Sequence, residues 1–403
     1  MTTTSPTIDL LSPASFAHGQ PHEQYRWLRQ HDPVHWHPEP DGRGFWAVTR
    51  YDDVRAVGRD TERFSSRPTI MIPDDAGALD VGDHGMMLTM DPPRHTEYRR
   101  LASPDFVPRA ARALQPRVEE LARTIVDGVA ARGECDLVED IAGLMPSYVI
   151  AEMLGIPHQD GVELYRLTET IHAAPESQPE GAGMGAVLQM FNYAHQVYEE
   201  KRARPGDDLS SRLIAGEVDG RPLDGIDFNL FFLLLVDAGG DTTRNLVAGG
   251  MQALFDHPGE RQRLQGDLDA LLPTAIEEML RWVSPVIYMR RTATCDTDLA
   301  GHPIAAGDKV VMYYGSANRD EAAFDDPDRL DVGRHPNHHV AFGGGGAHYC
   351  LGSHIARIEI EATLREVLTR LPDIEPAGPA EWLPSNFISG PRHLPVRFTP
   401  TSG

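Results

Sequence analysis

Cysteine and positive charge are scarce in this sequence. Its 403 residues include three cysteines, Cys135, Cys295 and Cys350, and no two of them form a CxxC pair. Because this set provides no disulfide framework, we expect a reducing, cytoplasmic environment. Lys and Arg number 37 against 60 Asp and Glu, which gives a formal net charge of −23. That surplus of negative charge argues against nucleic acid and anionic membranes as partners.

Long hydrophobic runs and linkers are also missing. The longest apolar stretch, 228–236, is interrupted by Asn229 and is too short to span a bilayer, so we expect no membrane association. The first residues lack the basic and apolar segments of a signal peptide, and residues 1–6 are expected to be disordered. No repeat or low-complexity segment divides the chain, which favours a single domain over 1–403.

Hydrophobic periodicity predicts a mainly α-helical protein. Apolar residues recur every three to four positions in 112–133, 193–203, 227–257 and 275–283. Alternating residues in 45–57, and in 302–314 around an Ala-Gly-Asp turn, predict a small strand region. Segments rich in Pro, Gly and Asp, at 72–87 and 172–185, are typical of loops. The predicted class is mainly α with a minor β region, an α+β arrangement.

A glycine run leads into the last cysteine. Glycines occupy 343–346, Cys350 follows, and a helix is predicted to begin just past it and to end before Pro372. A thiol at a helix N-terminus meets free N–H groups that favour the thiolate, which can act as nucleophile, redox centre or metal ligand. The alternatives are a buried cysteine beside a flexible turn, or a dinucleotide-binding loop, which the lack of a βαβ unit disfavours.

A second unusual segment is AGGDTT within the long helix predicted over 227–257. Gly239 and Gly240 each cost about 1 kcal/mol relative to alanine in a helix interior, and they leave room beside the backbone. The Thr242 hydroxyl can bond the carbonyl of Ala238, and Asp241 adds a titratable carboxyl. The alternative is a helix crossing that requires small residues, with Asp241 in solvent.

The segment EEMLR places Glu278 and Arg281 three residues apart on one helical face, a spacing that suits an ion pair. Glu277 could reach the same arginine across four residues. The ordinary interpretation is a surface pair that contributes little to stability.

Taken together, the motifs resemble those of the cytochromes P450, the haem-thiolate monooxygenases. MDPPRHTEYRRL, AGGDTT, EEMLR, RTATCDTDLAG, FDDPDRLDVGR and HYCLG occur in the order of that family and extend over nearly the whole chain. The resemblance implies the P450 fold, with a long central helix over a thiolate-ligated haem b. One departure is that Phe342 stands eight residues before Cys350, where the common loop has seven. This variant is similar to that of bacterial branched-lipid and steroid side-chain hydroxylases.

The resemblance assigns haem contacts residue by residue. Cys350 matches the axial thiolate ligand of the iron, which favours O–O cleavage. His95, Arg99, Arg291 and His348 match residues that bind the propionates. The resemblance also assigns further residues to the haem pocket: Ala238, Phe342 and Gly352.

The same comparison separates catalytic from structural positions. Asp241 and Thr242 match the acid–alcohol pair that relays protons in the distal pocket. Glu278 and Arg281 match a structural pair needed for folding and haem incorporation, completed by Arg329 or Arg334.

Met71, Ile72, Met86 and Met87 stand in the loop before the MDPP segment and are expected to form an adaptable roof over the substrate, because methionine fills irregular space. Val286, Ile287 and Phe387 match substrate-recognition regions of the family, and plain hydrophobic core is the alternative for these apolar residues. Leu234 and Asp237 complete the set of substrate candidates. Asp237 stands where the family has an apolar residue, so we hypothesise that it accepts a hydrogen bond from a polar or cationic substrate group. In the alternative, it pairs with an arginine such as Arg244.

The implied reaction is hydroxylation of a small apolar substrate by O2. A steroid or branched lipid is the first candidate, and a terpenoid or polyketide the second. No flavin or iron–sulfur segment is present, so the resemblance implies a ferredoxin and an NAD(P)H-dependent reductase as partners of a monomer. We expect the acidic ferredoxin to meet basic residues behind Cys350, including Arg99, Arg100, Arg109 and Arg357. A peroxide-driven peroxygenase and a non-catalytic haem sensor are the alternatives.

Overall fold

The computed structural model describes residues 6–40, 42–74, 84–172, 178–218 and 220–401. Except for Pro6, the segment expected to be disordered lies outside the described residues. Helices dominate and a small sheet packs beside them, so the predicted mainly α class with a minor β region is confirmed. No helix among the described segments is both long and apolar enough to cross a membrane.

The α-helices account for most of the described secondary structure. In chain order they are α1 (His22–His31), α2 (Tyr51–Arg59), α3 (Arg94–Ala102), α4 (Pro108–Ala130), α5 (Leu144–Leu154), α6 (His158–His172), α7 (Ala182–Ala203), α8 (Leu209–Ile214), α9 (Gly225–Asp256), α10 (Pro258–Gly266), α11 (Leu268–Val283), α12 (Tyr314–Ala317) and α13 (Ser353–Arg370). Short 3₁₀ turns cover Pro13–Phe16, Met87–Thr89 and Ser103–Asp105, and a π-helical segment covers Val138–Ala142. All four segments with helical periodicity therefore lie in helices, as predicted.

The strands are short. They are β1 (Val34–His37), β2 (Phe45–Val48), β3 (Phe64–Ser65), β4 (Glu134–Asp136), β5 (Glu217–Val218), β6 (Arg221–Pro222), β7 (Tyr288–Ala293), β8 (Thr297–Leu299), β9 (His302–Ile304), β10 (Lys309–Tyr313), β11 (Glu375–Pro376), β12 (Glu381–Trp382), β13 (Pro391–His393) and β14 (Pro395–Arg397). The largest sheet has the order β1-β2-β10-β7-β3, and only its β2–β10 pair is parallel. In that sheet Val310 is the partner of both Trp46 and Arg291.

One part of the strand prediction was wrong. The alternating segment 45–57 forms a strand only as far as Val48, and Tyr51–Arg59 is helical. Tyr51, Val54 and Val57 are three residues apart and all are buried, so the same sequence also satisfies a helical period. Tertiary burial of that face decides the outcome.

The long helix α9 runs through the main hydrophobic cluster. Asp224 caps its N-terminus, where the carboxylate accepts the N–H groups of Ile226 and Asp227 at 2.9 Å each. Helices α5, α6, α7, α11 and α13 all pack against α9. Two smaller clusters lie beside the sheet. Helix α13, which begins just after Cys350, therefore packs directly against α9.

Candidate active site

The glycine loop before Cys350 has a backbone that side chains disfavour. Gly343, Gly345 and Gly346 have φ values of 97°, 96° and 81°, in the left-handed region that glycine adopts without steric cost. The loop closes on itself, because the Cys350 N–H donates to the Phe342 carbonyl at 2.9 Å. Helix α13 begins at Ser353, as predicted.

Two glycines of this loop also contact α2, a segment that was predicted to be a strand. A Cβ at Gly344 would lie 3.0 Å from the Val54 carbonyl oxygen, and one at Gly346 would lie 2.6 Å from the Gly58 carbonyl oxygen. The loop therefore packs backbone to backbone against α2. The glycines permit this contact as well as the turn before the thiol.

The thiol of Cys350 lies in a mixed environment. Burial raises its pKa, whereas the N–H groups of Gly352 and Ser353 and the charges of Arg99 and Arg357 act to lower it. The free thiolate is thus costly, but the groups around it are arranged to stabilise negative charge on sulfur. This donor set suits a thiolate that is bound to a cation.

Four basic side chains from three segments meet near this loop, and we call His95, Arg99, Arg291 and His348 the basic cluster. The rings of His95 and His348 have centroids 4.2 Å apart. Burial and the arginines lower the pKa of His95 to about 4 and that of His348 to about 3. Both imidazoles are therefore neutral near pH 7 and offer N–H groups as donors.

The basic cluster lacks carboxylate partners within the described ranges. Arg99 donates to the Tyr349 carbonyl at 2.6 Å and Arg291 to the Arg290 carbonyl at 2.9 Å, but neither forms an ion pair there. Arg291 is buried, and Nδ1 of His95 is buried without a hydrogen-bond partner. Buried positive charge is unfavourable until an anion joins it. Two guanidinium groups and two imidazoles fit the two propionates that the resemblance implies.

In a second set, centred on a completely buried ion pair, every charged group has a partner of opposite charge, and we call Glu278, Arg281, Arg334 and Asn337 the glutamate cluster. Arg281 donates to both Glu278 oxygens at 2.7 Å, and both side chains are completely buried. Arg334 Nε and Asn337 Nδ2 each approach Glu278 Oε2 at 3.1 Å. The surface-pair interpretation was therefore wrong, because this pair is buried. Of the two arginines expected to complete it, Arg334 does so, and Arg329 contributes its carbonyl to Arg281.

Glu277 does not bond Arg281, contrary to the option raised from spacing. Its carboxylate accepts from Arg357 at 2.6 Å and from His339 at 3.0 Å. The Arg357 guanidinium in turn lies 4.5 Å from the centre of the Phe342 ring. Because Arg357 is on α13 and Phe342 opens the glycine loop, this contact fixes the loop relative to the helix.

On α9, the expected backbone contact is present. The Thr242 hydroxyl donates to the Ala238 carbonyl at 3.1 Å, Ala238 is exposed, and Thr242 is half-buried. Asp241 is buried, and burial raises its pKa. The alternative with Asp241 in solvent was therefore wrong. A Cβ at Gly240 would meet the Tyr165 ring at 2.9 Å, so this glycine serves the crossing of α6 and α9.

Asp237 pairs with a residue that sequence analysis missed. Its Oδ1 lies 2.9 Å from Nε2 of His172, the last residue of α6. The pairing with Arg244 was wrong, because that buried arginine pairs with Glu169. No local signal identifies His172, which stands at the edge of a segment expected to be a loop.

The apolar substrate candidates fall into two groups. Ile72 and Ile287 are completely buried in the cluster beside the sheet, and Phe387 packs against that cluster. This placement favours the core interpretation for the two isoleucines. Val286 forms an isolated β-bridge with Ile388.

The remaining candidates lie on the helical side. Leu234 and Met87 belong to the main hydrophobic cluster, and Met86 packs against it. Met71 is half-buried. The intervening part of the predicted roof, residues 75–83, lies outside the described residues.

Comparisons with known proteins agree with this geometry. A sequence model of the family described as Cytochrome P450 matches residues 186–372. The methyl-branched lipid omega-hydroxylase of Mycobacterium tuberculosis is 39% identical over 92% of this chain and 90% of the relative. The steroid C26-monooxygenase of Mycolicibacterium smegmatis is 38% identical over 99% of this chain and 98% of the relative.

The fold also matches solved structures. A Mycobacterium marinum cytochrome P450 in complex with pseudoionone superimposes with a TM-score of 0.91 at 39% sequence identity. The alignment covers 98% of this chain and 100% of that one.

Proposed function

The chain belongs to the cytochrome P450 family, and we propose that it hydroxylates a branched lipid or a steroid with electrons from a ferredoxin. As a member of this family it is a haem-thiolate monooxygenase. The names of two relatives, a methyl-branched lipid omega-hydroxylase and a steroid C26-monooxygenase, support this substrate class. The pseudoionone complex of a third keeps a terpenoid as the second candidate, beside a polyketide.

In this proposal Cys350 would ligate the haem iron and the basic cluster would hold the propionates. When bound, haem b ligated by a cysteine thiolate supplies the reduction and cleavage of O2, with one oxygen atom going to the substrate. The observation that carries the cofactor assignment is that Arg291 is buried without a paired carboxylate among the described residues. Phe342 and Gly352 border the thiol, and Ala238 of α9 would border the haem.

Asp241 and Thr242 move protons in this proposal. The Thr242 hydroxyl is held by the Ala238 carbonyl and lies on the exposed face of α9. Asp241 is buried beside it, and burial raises the pKa of its carboxyl, which favours the protonated form that a proton donor needs. Met71, Met86, Met87, Leu234, Val286 and Phe387 supply an apolar lining that excludes water.

Four arginines were expected to contact the ferredoxin, and their burial in the fold changes that set. Arg99 and Arg357 are half-buried, whereas Arg109 is exposed, and Arg100 is exposed although it pairs with Glu97. Arg112, also exposed, is one turn beyond Arg109 on α4, the helix that packs against α13. We therefore place the ferredoxin contact at Arg100, Arg109 and Arg112. Reversal of the charges of Arg109 and Arg112 should raise the KM for an acidic ferredoxin and leave substrate binding unchanged.

The test of the proposed reaction begins with binding. Methyl-branched fatty acids, steroids and pseudoionone are screened for a low-to-high spin shift of the ferric haem, and the best compound is turned over with a bacterial ferredoxin and its reductase. Asp241→Asn and Thr242→Ala should each lower the product formed per NAD(P)H consumed by about tenfold or more. Asp256→Asn is the matched control, because Asp256 is on the same helix but is exposed and accepts only from Gln252.

The same experiment separates the alternatives. Turnover with hydrogen peroxide alone, and none with the reductase system, would identify a peroxygenase. A protein that binds ligands without consuming NAD(P)H would be a sensor. A reduced carbon monoxide complex with the spectrum of histidine-ligated haem, retained in Cys350→Ser, would contradict the thiolate assignment itself.

We further propose that residues 1–403 form one haem domain that acts as a cytoplasmic monomer. The two smaller hydrophobic clusters share strands β2, β7 and β10, and α11 of the main cluster packs against α12 of the second, which supports a single unit. Sedimentation of the haem-loaded protein at micromolar concentration should give one species at the mass of a single chain.

A further inference from the structure

A histidine and two carboxylates meet where α6 crosses α9. Nε2 of His172 lies 2.9 Å from Asp237 Oδ1, and Nδ1 lies 3.3 Å from Asp241 Oδ2. The two acids are one helical turn apart, so both face the same side of α9. One imidazole therefore joins the acid of the proposed proton relay to a second acid, and it does so through its two different nitrogens.

The three groups differ in their access to solvent. The side chains of Asp237 and His172 are 23% and 20% exposed, whereas that of Asp241 is 8% exposed. A proton that reaches Asp241 from solvent must cross buried protein, and the more exposed acid is one turn away. The His172 ring also lies 6.1 Å, centre to centre, from the Phe387 ring, in an edge-on arrangement.

The geometry leaves the imidazole unsatisfied. Neither contact has the angles of a hydrogen bond, and both Nδ1 of His172 and Oδ1 of Asp237 are buried without a hydrogen-bond partner. The torsion that turns an imidazole ring is soft, so a small rotation aligns either nitrogen with its carboxylate. A ring that lies close to two carboxylates and can turn to form a hydrogen bond with either one is suited to proton transfer rather than to static support.

We propose that His172 is a positioning residue that passes protons from Asp237 to Asp241, an inference that rests on the proposed role of Asp241. The Asp237 carboxyl releases a proton to Nε2, which gives an imidazolium. Nδ1 then releases its proton to the Asp241 carboxylate. The ring is left with its proton on Nε2, and exchange of the ring nitrogens with solvent, to which the side chain is 20% exposed, restores the form with its proton on Nδ1, so one proton moves and no electrons are transferred.

The surrounding charges support a charged intermediate at this position. Burial lowers the pKa of His172, but Asp237 and Asp241 outweigh burial and hold the pKa well above its ordinary value. Glu169, one turn earlier on α6, has its pKa raised to about 7 by burial and by nearby acids. The other titratable and charged groups that act on this region are Asp136, Glu139, Arg244, Arg392 and His393.

The first test compares two histidines of the same helix. His158, at the start of α6, also pairs with a carboxylate, that of Glu152, but it does not contact α9 acids. His172→Gln should lower product per NAD(P)H by about tenfold and increase the solvent deuterium isotope effect on product formation. His158→Gln should change neither quantity, and both variants should keep the substrate-induced spin shift. Retention of wild-type values in His172→Gln would overturn the proposal.

The Asp241→Asn variant separates this failure from that of the proposed function. If Asp241→Asn loses coupling while His172→Gln keeps it, the role of Asp241 stands and protons reach it by another route. If Asp241→Asn itself keeps coupling, the relay assigned under the proposed function fails. Partial recovery of His172→Ala by added imidazole would support proton transfer over simple packing.

A second readout does not depend on turnover. Nitrogen-15 NMR of labelled histidine in the diamagnetic carbon monoxide complex of the reduced protein reports the protonation of both ring nitrogens. The His172 pKa should fall in Asp237→Asn and again in Asp241→Asn, with the Nε2 and Nδ1 signals, respectively, changing most. A His172 titration that ignores both substitutions would show that the ring does not exchange protons with these acids.

Discussion

The glutamate cluster and the basic cluster house buried charge in opposite ways. In the glutamate cluster, the Glu278 carboxylate accepts hydrogen bonds from Arg281, Arg334 and Asn337. Every charge in that cluster therefore has a partner of opposite sign. In the basic cluster, Arg291 is equally buried but bonds only a backbone carbonyl, and His95 Nδ1 has no partner. The members of each cluster come from separate segments of the sequence.

The difference indicates what each cluster is for. A buried ion pair that is complete within the chain contributes to folding, and breaking it leaves one charge uncompensated. A buried cation that the chain leaves unpaired is stabilised only when an anionic ligand arrives. A structural cluster therefore differs from a ligand-binding one in whether every charge has a partner within the chain. Composition and burial do not distinguish the two.

The largest effect should come from breaking the complete cluster. Glu278→Ala leaves the fully buried Arg281 without a carboxylate, and we expect the free energy of unfolding to fall by about 3–5 kcal/mol. Urea unfolding of the haem-free protein measures this loss. Because the network joins α11 to the chain at Arg334 and Asn337, haem incorporation during expression should fall as well.

Glu97→Ala provides the matched control. Glu97 also precedes its arginine partner, Arg100, by three residues on a helix, but both side chains are exposed. Its removal should cost less than about 1 kcal/mol. Equal losses in the two variants would show that the spacing, and not burial, sets the energy of the pair.

Glu359 of α13 represents a third way to house a buried charge, which is to neutralise it. Burial raises its pKa to about 8, and a hydrogen bond from Thr243 opposes the shift. Between the ordinary pKa and the raised one, the folded protein holds one more proton than the unfolded chain. Stability should therefore decrease as pH rises through that interval, by about 1.4 kcal/mol per pH unit from this group.

Glu359→Gln should remove this slope, as measured by urea unfolding at several pH values between 5 and 8. Glu361→Gln is the control, because that residue is on the same helix and is paired with Arg365 near the surface. A wild-type slope that persists in Glu359→Gln would mean that the carboxyl is ionised in the folded protein and has a partner. Glu359 would then be a buried carboxylate with a charged partner, as Glu278 is.

Local features of the fold and site could be predicted from the sequence. Four helices, the start of α13 after Cys350 and the bond from Thr242 to the Ala238 carbonyl depend on residues within a few positions of each other. The same is true of the Glu278–Arg281 pair, whose three-residue spacing sets its geometry. The resemblance supplied the partner Arg334, which spacing alone does not reach.

Features that depend on contacts between distant segments could not be predicted. The packing of Gly344 and Gly346 against α2 depends on that segment being helical, and its alternating sequence also fits a strand. His172 meets Asp237 only because α6 crosses α9 at Gly240. No periodicity in either helix specifies that crossing, so the site residue was missed and an arginine was suggested in its place.

The last prediction tests the comparison between the clusters through the sign of an effect. Arg291→Met removes a buried cation that has no paired carboxylate among the described residues, at a position where a methionine of similar length can pack. The haem-free protein should become about 1 kcal/mol more stable, because the cost of burying the charge is removed. The haem-loaded protein should instead lose haem about tenfold faster to an acceptor, because a charge partner of a propionate is gone.

Arg290→Met is the control, because Arg290 is the neighbouring residue of β7 and is equally buried. Its guanidinium pairs with Asp74 at 2.7 Å and donates to the Ile72 carbonyl at 3.0 Å, so its loss should destabilise the protein with and without haem. Two adjacent arginines of one strand would then respond with opposite signs in the haem-free state. If Arg291→Met destabilises that state as Arg290→Met does, then the chain itself compensates Arg291, and incomplete pairing does not identify the ligand site.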